Sequence, residues 1–181
     1  MCLGAGCLKA PRAGRNRPHD TECCHYFAKK VSAMETVQID KYDVLKLENQ
    51  LCFPLYACAK EVIRRYQEPL DELNLTYTQY IVMMAFWEFG GMTEGELGQK
   101  VHLDSGTLAP LLKRLEKQGL VKRARMEENE RKLYVTLTEE GEALKEKALA
   151  VPYAMGGCID LSKEDLLQLK ALLDKMLERM G

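Results

Sequence analysis

Apolar residues recur at helical spacing through the middle of the chain, and the runs are bounded by residues that start and stop helices. Leu97 and Val101 share one face of a short segment opening at Thr93, whose hydroxyl can cap a helix while Glu96, three residues on, answers it as a capping box. The segment ends near His102. Asp104-Ser105-Gly106-Thr107 then offers side-chain oxygens to the free N–H groups of a second helix, whose stripe is Leu108, Leu111, Leu112 and Leu115 and whose stop is Gly119. Pro110 falls within or just past its first turn, where a missing N–H costs little. After Gly119 the period changes to that of strands. Residues 120–125 and 132–137 read as a hairpin, with Leu133, Val135 and Leu137 alternating with Lys132, Tyr134 and Thr136 beyond a polar tip, Glu127-Glu128-Asn129-Glu130. Two short helices and a hairpin predict a helix-turn-helix with a wing, a shape that fits one helix into the DNA major groove.

Upstream, residues 42–66 have helical character, with Leu51, Leu55, Ala59, Val62 and Tyr66 on one face and Lys60, Glu61, Arg64 and Arg65 facing mostly water. Pro54 suits a first turn, which places the start of a helix at residues 50–53; a kinked, longer helix from Val44 is the alternative. With the first start, Cys52 stands at a helix N-terminus, where free N–H groups and the dipole favour a thiolate. Tyr56 is four residues along the same face, Tyr66 lies further on, and Tyr77 opens the next helix. Phenol hydroxyls can donate hydrogen bonds to a thiolate or hold a peroxide oxygen; ordinary half-buried aromatics are the plainer reading of each taken alone. Cys58, on the far side of the helix from Cys52, reads as packing. The next helix opens with a second capping box, Thr76 with Gln79, and runs to Gly90-Gly91, with Met83, Met84 and Trp87 in the core. Beyond the wing, a helix from Thr138 to about Ala150 is ended by Pro152, a linker carries Cys158, and residues 162–179 form a last helix striped by Leu166, Leu169, Leu173, Met176 and Leu177. Flanking helices with more apolar surface than so small a core can hide point to a homodimer.

Charge sharpens the picture. Between Lys100 and Lys132 nine basic residues face five acidic ones, a surplus of four in a chain whose net charge is −1. That local excess is the footprint expected of a DNA-reading face. With 46% hydrophobic and 29% charged residues, the 181-residue chain reads as a soluble domain with one loose end. The longest apolar run, residues 80–87, is too short to span a bilayer, and no signal-peptide segment is present, so a cytoplasmic location is expected. The seven cysteines then read as thiols before structural disulfides. Residues 1–33 carry Cys2, Cys7, Cys23 and Cys24 and a basic cluster, Arg12, Arg15 and Arg17, without hydrophobic periodicity. They are expected to be a disordered leader or a stretch upstream of a natural start at Met34. The spacing of His19 and Cys23-Cys24-His25 matches no metal-binding finger, so no metal and no cofactor is expected.

Three blocks of residues carry a resemblance. They are Leu51-Cys52-Phe53-Pro54-Leu55-Tyr56, then Leu75-Thr76-Tyr77-Thr78-Gln79-Tyr80, and then Leu103 to Leu108 with Pro110 to Leu115. Together they resemble the MarR family and, more narrowly, its organic-hydroperoxide-sensing, OhrR-like branch, over residues 47 to 181. The resemblance implies a mainly α fold with a small β-hairpin wing (α+β). An extension would cover residues 1–40, a winged helix-turn-helix residues 76–137, and dimerisation helices residues 44–70 and 138–181. It implies a repressor, not an enzyme, whose homodimer binds double-stranded DNA at a pseudo-palindromic operator. The sensing cysteine would match Cys52 and its hydrogen-bonding tyrosines Tyr56, Tyr66 and Tyr77. Oxidation would give a sulfenic acid and then a disulfide, either with Cys158 or with a low-molecular-weight thiol. On the DNA side Ser105, Thr107 and Arg114 would face the major groove, Lys113 and Lys117 the phosphates, Arg123 and Arg125 would add basic charge, and Arg131 would enter the minor groove. One departure lies at Asn129, a neutral amide where the family has an aspartate. Two other readings stay open: a MarR-type repressor relieved by a bound small aromatic ligand, and a thiol peroxidase, which the lone cysteine with tyrosines permits but no second catalytic motif supports.

Overall fold

The computed structural model describes residues 40–126, 129–157 and 159–180, with the backbone alone for residues 126 and 129–132. The expectations for residues 1–39, for Cys158 and for the Arg131 side chain lie outside these. The described chain falls into two units that meet in sequence at Pro54 and Leu55.

The first unit holds two 3-10 turns, Asp43–Leu45 and Leu47–Asn49, where a helical run was expected. Asn49 Nδ2 donates to the Asp43 carbonyl at 2.8 Å, Gln50 donates to the Val44 carbonyl, and Lys46 pairs with Asp43 at 2.6 Å. Helix α1, Cys52–Arg65, starts here, with Pro54 at its third residue, where its missing N–H would have had no partner. No residue of α1 is buried.

The second unit begins with the rest of α1 and adds α2 (Gln67–Asp71), α3 (Tyr77–Phe89), β1 (Met92–Thr93), α4 (Glu94–Val101), α5 (Ser105–Lys117), β2 (Val121–Met126), β3 (Asn129–Leu137), α6 (Glu139–Ala148), α7 (Ala150–Ala154) and α8 (Lys163–Met180). The caps decide the boundaries. Thr76 and Thr93 each make both bonds of a capping box, with Gln79 and Glu96. Asp104 caps α5, and Thr138 caps α6 by accepting from Gly141 N–H at 3.0 Å. His102 (φ 53°) ends α4 in the left-handed region and Gly119 (φ 78°) turns the chain from α5 into β2. Pro110 is the sixth residue of α5, so the Gly106 carbonyl, at an exposed position, lacks its usual donor four residues on.

The sheet has the order β1-β3-β2, all antiparallel, with Met92 opposite Val135 and Val121 opposite Leu137. Strand β1 was not expected: two residues carry no readable alternation, yet Met92 (5% exposed) seals the sheet against the core. Strand β3 starts at Asn129, inside the expected tip, after a register shift between Arg125 and Met126. One core joins the second unit, centred on Phe86, Met83, Leu97, Leu108, Leu112 and Leu115. Three other expectations change. Met84 and Cys58 are exposed rather than packed. Pro152 does not end a helix; it is the third residue of α7, again in a first turn. Gly141 sits where a Cβ would collide with the Leu120 carbonyl, which lets α6 start directly against the end of α5.

Candidate functional site

Helix α5 is amphipathic in the strict sense. Leu108, Leu111, Leu112 and Leu115 are buried, while Ser105, Thr107, Lys113, Arg114 and Lys117 are exposed along the opposite side. The N-cap fixes its first turn: Thr107 N–H donates to Asp104 Oδ1 at 3.0 Å and Thr107 Oγ1 donates to Asp104 Oδ2 at 2.9 Å. These bonds hold the Asp104 carboxyl below the usual carboxylate range. The Thr107 hydroxyl proton is therefore committed to the cap, leaving its methyl group and an oxygen lone pair to the outside.

The basic residues of the hairpin divide. Lys122 and Arg125 are exposed. Arg123 instead turns to α5, where its Nε and Nη2 donate to Glu116 Oε2 at 2.9 and 2.5 Å and its backbone N–H to Oε1 at 3.3 Å. The Arg123 side chain is 17% exposed, and its hydrogen bonds lower the pKa of Glu116. Arg123 thus fastens the base of the wing to α5. Pairing between positions 116 and 123 carried no signal in the sequence, since it crosses from a helical to a strand period.

Cys52 is an exposed free thiol at the first residue of α1, and Tyr56 is 63% exposed. Tyr66 and Tyr77 come together in the second unit, their ring centroids 4.8 Å apart and tilted by 55°. A third phenol joins them: Tyr80, 4% exposed, lies 6.2 Å from Tyr66 and 6.3 Å from Trp87. Burial, then the neighbouring phenols of Tyr66 and Tyr77, raises the Tyr80 pKa. The spacing of Tyr77 and Tyr80, one helical turn, was the available sign of it. Trp87 Nε1 in turn donates to the Gly141 carbonyl at 2.9 Å, tying α3 to the start of α6. Among the described residues no group of three or more His, Cys, Asp or Glu could hold a metal ion, and no helix is long and apolar enough to cross a membrane.

A family model described as "Transcriptional regulator SarA/Rot" matches residues 64–148. The organic hydroperoxide resistance transcriptional regulator of Bacillus subtilis (strain 168) is 48% identical over 141 residues, covering 78% of this chain and 96% of that protein. Among solved structures, reduced AbfR bound to DNA aligns with a TM-score of 0.66 at 33% identity, over 78% of this chain and 96% of that one. AbfR of Staphylococcus epidermidis aligns with a TM-score of 0.62 at 32% identity, over 77% and 95%. The winged fold, the basic face of α5 and these relatives agree, and the chain belongs to the MarR family of DNA-binding transcriptional regulators, in its OhrR-like branch, and is not an enzyme.

Proposed function

We propose that this regulator is a homodimeric repressor that holds a pseudo-palindromic operator while Cys52 is reduced and releases it when an organic hydroperoxide oxidises that sulfur. The observation that carries the reading is Cys52 itself: an exposed free thiol opening a helix, in a chain 48% identical to an organic hydroperoxide resistance regulator. One relative of the same fold, AbfR, has been solved reduced on DNA, overoxidised on DNA and with a disulfide formed, each structure 33–34% identical to this chain.

The chemistry is a two-electron oxidation. The Cys52 sulfur attacks the terminal peroxide oxygen, the O–O bond breaks, and an S–O bond forms. The hydroperoxide leaves as an alcohol and the thiol becomes a sulfenic acid. A second thiol, Cys158 or a low-molecular-weight thiol, then displaces water and closes a disulfide. Tyr56, Tyr66 and Tyr77 act as hydrogen-bond donors to the sulfur or the peroxide. In the folded dimer, which we place in the cytoplasm, residues 76–137 read DNA and residues 44–70 and 138–181 form the subunit interface. Ser105, Thr107 and Arg114 face the bases, Lys113 and Lys117 the phosphates, Arg125 the backbone beside the wing, and Arg131 the minor groove.

Cys52→Ser protein is expected to bind an operator duplex as tightly as wild type and to stay bound under cumene hydroperoxide. Release of that variant at the wild-type rate, measured by fluorescence anisotropy, would falsify the redox reading and favour a bound ligand as the trigger.

A further inference from the structure

Three phenols gather where the junction of α1 and α2 packs beside α3, and two of them touch. The Tyr66 and Tyr77 ring centroids are 4.8 Å apart with planes tilted by 55°. That lies near the short end of the range for aromatic pairs, about 4.5–7 Å. Both rings are half-buried against the core. Both backbones are held as well. Tyr66 N–H donates to the Val62 and Ile63 carbonyls at 3.2 Å each, and its own carbonyl accepts from Leu70 N–H at 3.1 Å. Tyr77 is the first residue of α3, directly after the capping box of Thr76 and Gln79. The fold itself therefore sets this contact.

Tyr80 is the third phenol. Its centroid is 6.2 Å from that of Tyr66, it is 4% exposed, and burial raises its pKa. Loss of its proton is disfavoured, and a close-packed core gives its ring little room to turn. A phenol that loses one electron and its proton becomes a phenoxyl radical. The unpaired electron is shared between the oxygen and the ring carbons ortho and para to it. In tyrosine the para carbon carries Cβ, so two phenoxyl radicals held in contact join at their ortho carbons.

We infer that Tyr66 and Tyr77 form a modification site, which alkoxyl radicals couple into a dityrosine within one chain. An alkoxyl radical arises when ferrous iron gives one electron to an organic hydroperoxide and the O–O bond breaks, leaving hydroxide and ferric iron. Each of two such radicals takes the hydrogen atom of one phenol hydroxyl and leaves as an alcohol. The two phenoxyl radicals pair their electrons in a C–C bond. Each ring then moves a proton from its joined carbon to its oxygen, which restores the phenol. The protein loses two hydrogen atoms in all. Thiols reverse a sulfenic acid or a disulfide but not this C–C bond. No step uses the Cys52 sulfur, so the site answers one-electron oxidants and does not rest on the redox reading above. The new bond closes a span of eleven positions across α2.

The test exposes the full chain to ferrous iron and cumene hydroperoxide and reads dityrosine fluorescence in the monomer band of a reducing gel. A tyrosine-containing peptide in a parallel tube reports the supply of radicals. Glutamyl endopeptidase cuts at Glu68 and Glu72 and so separates Tyr66 from Tyr77. Mass spectrometry is expected to find the two resulting peptides joined with the loss of two hydrogens. Fluorescence is expected to be lost in Tyr66→Phe and in Tyr77→Phe and kept in Tyr80→Phe and Cys52→Ser. Absence of dityrosine while the peptide couples overturns the inference. So does a cross-link that joins other tyrosines, forms only between chains or disappears with the Cys52 sulfur. Should a variant fail to fold, peptide mapping of the wild-type protein decides alone.

Discussion

The winged half of the chain and the two outermost long helices, α1 and α8, use their apolar residues to opposite ends. In α4 and α5, Leu97, Leu108, Leu112 and Leu115 are each at most 1% exposed. In α8, Leu167, Leu172 and Leu177 are 60, 62 and 49% exposed, and neither α8 nor α1 buries a residue. A helix with an uncovered apolar stripe draws little stability from propensity alone. The difference teaches that the winged half is complete within one chain, whereas the flanks carry surface suited to a second copy.

The strongest way to break that comparison is to cut into each side of it. Leu112→Ala removes a fully buried side chain and should cost about 2–5 kcal/mol of stability in denaturant unfolding. A cost below 1 kcal/mol would mean the winged core is looser than its burial says. On α8, Leu169→Glu with Leu173→Glu should leave that core intact and act on association instead. Sedimentation should show wild-type dimer and variant monomer at micromolar protein. An unchanged dimer would place the interface elsewhere.

Sequence and structure agree best where a local rule was sufficient. Thr76, Thr93, Asp104 and Thr138 cap helices because the residues that answer them lie three positions on. The leucine stripe of α5 was legible for the same reason. What the sequence hid depends on partners far along the chain. Strand β1 exists because Met92 and Thr93 find Val135 and Tyr134, and Tyr134 Oη donates to the Gly91 carbonyl at 2.7 Å. Arg123 reads in the sequence as one more basic contact for DNA, whereas the fold sets Glu116 beside it. Gln79 and Gln118 were a capping residue and an unremarked polar residue; only the fold brings them together. Of the tyrosines expected beside Cys52, four residues of spacing place Tyr56 on its helix, whereas the fold brings Tyr66 to Tyr77 with ring centroids 4.8 Å apart.

A smaller effect separates the exposed cations of α5 from each other. Arg114→Ala should lose about 1–3 kcal/mol of discrimination between an operator duplex and one changed at a single base pair. Lys117→Ala should weaken both duplexes alike and reduce the salt slope by about 1. Equal behaviour of the two variants would remove Arg114 from the base-reading role.

The smallest effect tests whether the wing belongs to the self-contained half at all. Glu116 is the anchor for Arg123, and its pKa is lowered below the ordinary 4.5, chiefly by the Arg123 hydrogen bond. A carboxylate with a depressed folded-state pKa gives stability that is fully present above 4.5 and is lost as pH falls through the folded value. Glu116 is 37% exposed, so solvent screens the pair and its worth is about 0.2–1 kcal/mol. Glu116→Gln keeps an acceptor for Arg123 but no charge. Its thermal unfolding should fall slightly below wild type at pH 7, and the gap should close as both are titrated below pH 4.5. A gap that stays constant with pH would mean that shape, not charge, holds the wing. Operator affinity is expected to follow the gap at neutral pH, because the Arg123–Glu116 bonds tie β2 to α5.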